Sequence, residues 1–322
     1  MGFDSPVYWI VFTLFVLGML ALDLGIFNRK AHVIKLKEAA IWSVVWIVIS
    51  LSFCAWLYFG KSHKAGGEFL AGYLLEKALS VDNIFVFIMI FSYFGIKPKY
   101  QHRLLFWGIL GALVLRGAMI AAGAALLDRF HFIIYIFGLL LIYTGIKMAF
   151  HDATDTDPSK GWVYRGARKF LPVTEKDYGK HFLVKENGHW RVTMLLVVLM
   201  VVETTDVLFA LDSIPAVFAV TKEPFLVYTS NIFAILGLRA LYFLLAGVMD
   251  MFRYLKYGLA IILCLVGVKM LLSHTDYAVP IGISLSIIGA ILLISVVASL
   301  IAARINPHEQ PPNAVSEAQK ND

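Results

Sequence analysis

The sequence predicts an all-α membrane protein of about nine transmembrane helices, six of them forming two inverted three-helix repeats. Three observations carry this expectation. The 322 residues are 60% apolar and 16% charged, whereas a soluble domain carries about 25% charged residues. The apolar residues fall in runs of roughly 20, the length that crosses about 30 Å of hydrocarbon as a helix. Lys and Arg, finally, collect in alternate connections, as the positive-inside rule requires of a polytopic chain.

Residues 1–68 hold two spans, at about 7–27 and 41–59. The first apolar run has no basic n-region and no cleavage site, so it is expected to remain as a span. A first repeat, 69–150, contains spans at 69–94, 104–127 and 131–150. The long connection 151–193 starts acidic (Asp152, Asp155, Asp157), turns basic (Arg165, Arg168, Lys169) and is expected to be a cytoplasmic loop. A second repeat, 194–273, contains spans at 194–220, 225–249 and 254–273, and a ninth span at 279–303 lies in 274–305. The Pro-rich polar tail 306–322 is expected to be disordered.

Connections 28–40, 95–103, 151–193 and 250–256 share one side with the tail and hold most of the Lys and Arg; Lys61, Lys64, Arg129 and Lys222 lie on the other. The crowded side is expected to be cytoplasmic, with the N-terminus outside and the C-terminus inside. The net charge of +6 is therefore a topology signal beside a lipid bilayer, not a nucleic-acid surface. Cys54 and Cys264 both sit in apolar spans and form no CxxC pattern.

The repeat is read from landmarks. Asp82-Asn83-Ile84-Phe85-Val86 answers Asp206-Val207-Leu208-Phe209-Ala210; Ile109-Leu110-Gly111 with Arg116 answers Ile235-Leu236-Gly237 with Arg239; Gly145-Ile146-Lys147-Met148 answers Gly267-Val268-Lys269-Met270. Each unit has an odd number of crossings, so the second enters from the opposite face. In such inverted repeats transporters place an ion site near the midplane.

The chemistry lies in two stretches, 76–83 and 203–221. Glu203, Asp206 and Asp212 interrupt the apolar segment that begins at Met194, and Glu76 and Asp82 interrupt its counterpart. A carboxylate at bilayer depth costs several kcal/mol, so it faces a cavity, a partner or an ion. Glu76, Ser80 and Asn83 share a helical face, as do Glu203 and Asp206, whereas Asp212 falls about 180° from Glu203 on an ideal helix. Pro215 disturbs the carbonyl of Leu211, so either a simple kink or a broken helix that re-aims Asp212 is expected there. The donors are carboxylate, amide, hydroxyl and possible backbone carbonyl, with no Cys or His beside them. That set suits a hard divalent cation such as Mn²⁺, Mg²⁺ or Ca²⁺. Arg116 and Arg239 are expected to act as counter-ions to the acids, and Lys147 and Lys269 to snorkel; Asp23 is either an interfacial anchor or a cation entrance.

The segments ETTDVLFALDSIPAVFAVT (203–221) and EKALSVDNIFVF (76–87) resemble the signatures of the TerC (tellurium-resistance) family of bacterial integral membrane proteins. So do Asp23-Leu24-Gly25-Ile26-Phe27 with Arg29 and His32, and the run Thr229–Ala240. The resemblance covers roughly 7–300 and, with the long central connection, is greatest to the alkali-inducible Alx-type branch. It implies a seven-to-nine-span bacterial inner-membrane protein related to the lysine-exporter superfamily that exports manganese; no prosthetic group is expected. The metal path it implies comprises Glu76, Asp82, Asn83, Glu203, Asp206 and Asp212. The tellurium label is uninformative about the ion, since tellurite is an anion. The resulting expectation is a secondary transporter for Mn²⁺, proton exchange being the hypothesis left when no GxxxxGK[ST] loop is found. Two alternatives stand beside it: a membrane adaptor that hands metal to a partner docked on 151–193, and a Na⁺ or K⁺/proton antiporter. No GxSxG or HExxH supports an enzyme.

Overall fold

A computed structural model of the chain describes residues 5–25, 36–130, 132–150, 161–174, 176, 178–246, 254–272 and 280–305. The tail 306–322 and the side chains of Asp23 and Asp82 lie outside the described residues. Helices run in the order α1 (Pro6–Gly25), α2 (Leu36–Gly60), α3 (His63–Tyr93), α4 (Pro98–Arg129), α5 (Ile133–Phe150), α6 (Trp162–Phe170), α7 (Met194–Phe218), α8 (Pro224–Leu236), α9 (Leu238–Ala246), α10 (Leu255–Leu271) and α11 (Ile281–Ile305). Between α6 and α7 lie three short strands, β1 (Val173–Thr174), β2 (Leu183–Glu186) and β3 (His189–Thr193).

Helix is present in each of the nine predicted intervals, but the expected nine spans are not all equal. Among the described residues six helices (α2, α4, α5, α7, α10 and α11) are long and apolar enough to cross a membrane, or seven if α8 and α9 make one span. The predicted span 225–249 is this pair, bent by 41° at Gly237. At 31 residues α3 has the length, but Glu76, Lys77 and Asp82 interrupt its apolar run. The chain is thus a multi-pass, helical membrane protein.

Local chemistry sets the ends. Ser62 caps α3, its Oγ accepting from the Ala65 amide at 3.0 Å. At the other end Gly95 takes φ +61°, letting the Gly95 and Ile96 amides donate back to Ser92 and Phe91 and close the last turn. Pro98 and Pro224 open α4 and α8, where the missing N–H costs nothing.

The connection 151–193, expected to be a loop, folds instead over its described part. Its sheet has the order β1-β3-β2, with β3 parallel to β1 and antiparallel to β2. Asn187 and Gly188, both at positive φ (51° and 83°), supply the two-residue turn that joins β2 to β3.

Of the two alternatives at Pro215, the broken helix is not present. α7 continues to Phe218, only three residues past the proline, so a single lost hydrogen bond near the helix end is absorbed without unwinding.

Helices α5 and α10 approach most closely through glycine. A Cβ on Gly138 would come within 2.9 Å of the Gly267 carbonyl oxygen, and one on Gly145 within 2.7 Å of that of Ala260. Between these crossings the Cys264 thiol reaches the Ile142 carbonyl at 3.8 Å. As one helix ascends in residue number the other descends, so the pair is antiparallel. Elsewhere an aromatic core led by Phe12, Phe53, Phe69, Phe225 and Phe233 joins α1, α2, α3 and α8.

Gly267→Ala should force α5 and α10 apart, because its Cβ would sit 2.6 Å from the Gly138 carbonyl oxygen. A cost of about 1–3 kcal/mol is expected, read as a lower thermal midpoint of the detergent-solubilised protein. Gly18→Ala, whose Cβ meets nothing within 4 Å, should leave that midpoint at or above wild type.

Candidate cation site

Glu76, Arg116 and Asp206 lie within about one turn of the midpoints of α3, α4 and α7. Apolar residues on either side make these helices long enough to carry the three groups to mid-depth, away from bulk water. They satisfy one another. The Arg116 Nε donates to Asp206 Oδ2 at 3.0 Å and Nη2 to Oδ1 at 2.9 Å, a two-pronged contact. Its Nη1 donates to Glu76 Oε2 at 2.9 Å and to Ser213 Oγ at 3.4 Å. Arg116 is 0% exposed, Glu76 1% and Asp206 5%. A planar fork is needed to hold two carboxylates from different helices, and lysine could not reproduce it. One cation set against two acids leaves this core with an excess negative charge if both are ionised.

The clamp is incomplete in an informative way. Glu76 Oε1, Ser80 Oγ and both side-chain polar atoms of Asn231 are buried with no hydrogen-bond partner among the described residues. Such atoms cost free energy unless water or an ion meets them. Asn231 belongs to α8, where Thr229, Ser230 and Asn231 are all fully buried in an otherwise apolar helix. Beside the clamp lies a cavity of about 20 Å³ lined by Glu203 and Asp206 among apolar side chains such as Phe87, Leu105, Ile109 and Leu238. That is room for about one water-sized occupant. The half-buried Glu203 has its Oε2 without a partner there. Gly111 of α4 makes the space, since a Cβ at that position would collide with the Glu203 carboxylate.

Asp212 is placed elsewhere. Because α7 stays helical, Asp212 remains on the face opposite Glu203, where it accepts from Thr144 Oγ1 of α5 at 2.9 Å. Asn83 is buried on α3 and Arg239 on α9. Lys77, next to Glu76, directs its ammonium to the Ala234 carbonyl at 3.5 Å, at the bend between α8 and α9. Among the described residues no group of three or more His, Cys, Asp or Glu gathers as a ready metal cluster. The structure instead links Glu76 to Asp206 through Arg116 and sets Glu203 and Asp206 on one cavity.

The sequence reading missed Asn231, Ser213, Thr144 and the role of Gly111. Asn231 carried the same signal as the acids, a polar group in an apolar helix. Gly111 was visible only as a repeat landmark.

The model of the integral membrane protein TerC family matches residues 61–307. Among curated relatives, a Myxococcus xanthus membrane protein designated STKORF319 is 52% identical over 304 residues, 94% of this chain and 95% of its own. Proteins of Salmonella typhi and Escherichia coli K12 named Alx are each 46% identical, over 302 and 300 residues, covering 91% and 90% of this chain and 94% and 93% of theirs. Both carry a provisional description as membrane-bound redox modulators. No solved structure matches.

Arg116→Met should leave two carboxylates unpaired at mid-depth, a loss of about 3–5 kcal/mol, read as collapse of the monodisperse fraction on size exclusion. The triple variant E76Q/R116M/D206N removes the charges together and should recover much of that fraction.

Proposed function

The chain belongs to the TerC family of integral membrane proteins, and on that footing we propose that it is a secondary transporter exporting Mn²⁺ across the bacterial inner membrane. The observation that carries this reading is the pair Glu203 and Asp206 on a water-sized cavity at mid-depth, where Arg116 alone is set against Asp206 and the neighbouring Glu76. A dehydrated cation fits the space and the charge. Oxygen donors favour a hard divalent ion, so Ca²⁺ and Mg²⁺ suit the same chemistry.

Glu76, Asp82 and Asn83 of the first repeat and Glu203, Asp206 and Asp212 of the second are proposed to form the path. Arg116 and Arg239 balance its charge, Asp23 stands at the cytoplasmic entrance, and the Leu211 carbonyl freed by Pro215 is a point of gating. The inverted-repeat arrangement has support in the α5–α10 crossing. Gly145 and Gly267 are equivalent, as are Gly138 and Ala260, so the Gly138–Gly267 and Gly145–Ala260 contacts are exchanged by the repeat operation. Ile142 and Cys264, 122 residues apart, meet at its centre. Lys and Arg placement supports a cytoplasmic C-terminus. The redox description of the relatives finds no thiol pair here, Cys54 of α2 and Cys264 of α10 both being unbridged.

Mn²⁺ uptake into inverted membrane vesicles tests the proposal. Wild-type vesicles should accumulate the ion. Glu203→Gln, which leaves the Arg116 clamp in place, should lower uptake at least tenfold while remaining monodisperse. Gly111→Val, whose side chain would fill the Glu203 space, should do the same. Uptake that is absent in wild type or unaffected by Glu203→Gln would overturn this reading.

A further inference from the structure

Helix α6 has two unlike halves. At 3.6 residues per turn, Trp162, Gly166 and Phe170 share an arc of about 80°, followed round the helix by Val163, Ala167 and Tyr164 and then by Arg168, Arg165 and Lys169. The middle group is packed. Ala167 is 4% exposed and meets Val192 and Val197, and the Tyr164 ring lies 5.3 Å from that of Phe94 at the end of α3. The outer aromatic pair is largely uncovered: Trp162 is 72% exposed and Phe170 77%. On the other flank Arg165, Arg168 and Lys169 are all exposed.

The position of α6 says what meets this surface. Its first turn, Gly161–Tyr164, walls a crevice of about 410 Å³ with Val86 and Ile90 of α3, Lys147 of α5 and Thr205 and Leu208 of α7. α7 is long and apolar enough to span the membrane, and its Leu208 and Leu211 are about half exposed on the bundle's outer face. Trp162, at one edge of the aromatic arc, thus adjoins this apolar outer surface, and the basic arc flanks the aromatic one. A short helix with uncovered Trp and Phe beside a basic row is the composition of a segment lying in the headgroup layer, where rings enter the acyl boundary and cations meet phosphate.

We propose that α6 is an interfacial anchor that binds anionic phospholipid through Trp162 and Phe170 on one flank and Arg165, Arg168 and Lys169 on the other. The assignment is independent of which ion the bundle moves. It also gives the long connection a lipid contact, distinct from the docked protein partner of the adaptor alternative.

Gly166 offers the probe site, since a Cβ there meets nothing within 4 Å and both aromatic residues stay in place. The full chain, with Cys54 and Cys264 replaced by serine, carries a spin label at Gly166→Cys, with labels at Val114→Cys (lipid) and Lys64→Cys (water) as references. It is reconstituted in phosphatidylcholine vesicles with or without phosphatidylglycerol, and collision with oxygen and with a water-soluble nickel chelate is compared. The Gly166→Cys label should fall between the references and move toward the lipid value when phosphatidylglycerol is added. R165E/R168E/K169E should abolish that shift, and W162A/F170A should move the label to the water value. A label as open to nickel as the Lys64→Cys reference in both mixtures would overturn the proposal and mark α6 as a docking face for a soluble partner. A lipid-like value identical in both mixtures would overturn the anionic assignment.

Discussion

Burying two carboxylates and a guanidinium at the centre of a membrane bundle is the constraint on which the rest of this structure depends. Separately, each ion would be prohibitive at that depth. Together, Glu76, Arg116 and Asp206 tie α3, α4 and α7 at one level through three charge-assisted bonds. Ser213, two helical turns past Asp206 on the same face of α7, adds a weaker fourth contact. A buried ionic group of this kind is weak evidence for stability, since apolar residues of equal volume would hold the helices as well. Under the proposed function, its charges would act on a cation held beside them rather than on stability.

Small residues let the polar core and its surroundings close. Gly111 leaves room for the Glu203 carboxylate, and Gly72 for Ser230 at the α3–α8 contact. Gly138, Gly145 and Gly267 allow α5 and α10 to meet backbone to backbone. In hydrocarbon, where apolar side chains gain little from leaving lipid for one another, such close approach is the principal source of helix association. Gly237 has another use, ending α8 so that the Lys77 ammonium can meet a carbonyl of its last turn.

Much of this was legible beforehand. Hydropathy placed every helix that crosses the bundle, because the 3.6-residue helix is almost the only way to hide a backbone in lipid. Helical phase alone put Glu203 and Asp206 on one face and Asp212 on the other, and the structure keeps that phase where the sequence reading also allowed a rupture at Pro215. The turn at Asn187-Gly188 is also written in the chain, flanked by residues suited to strands, but polarity between two spans by itself predicts only a loop.

The sequence by itself determined the membrane class, the acids at mid-depth and the family, since all three rest on local composition and on strings of residues that need no neighbours to be read. Only the tertiary structure decided that Arg116 serves Glu76 and Asp206 at once, that the Glu203 carboxylate packs against Gly111 and lines a cavity with Asp206, and that Asp212 belongs to Thr144. Those pairings join residues 40, 90 and 68 positions apart in the cases of Glu76–Arg116, Arg116–Asp206 and Thr144–Asp212. Helical periodicity states which way a side chain points from its own axis; which helix stands there is set by how the bundle packs.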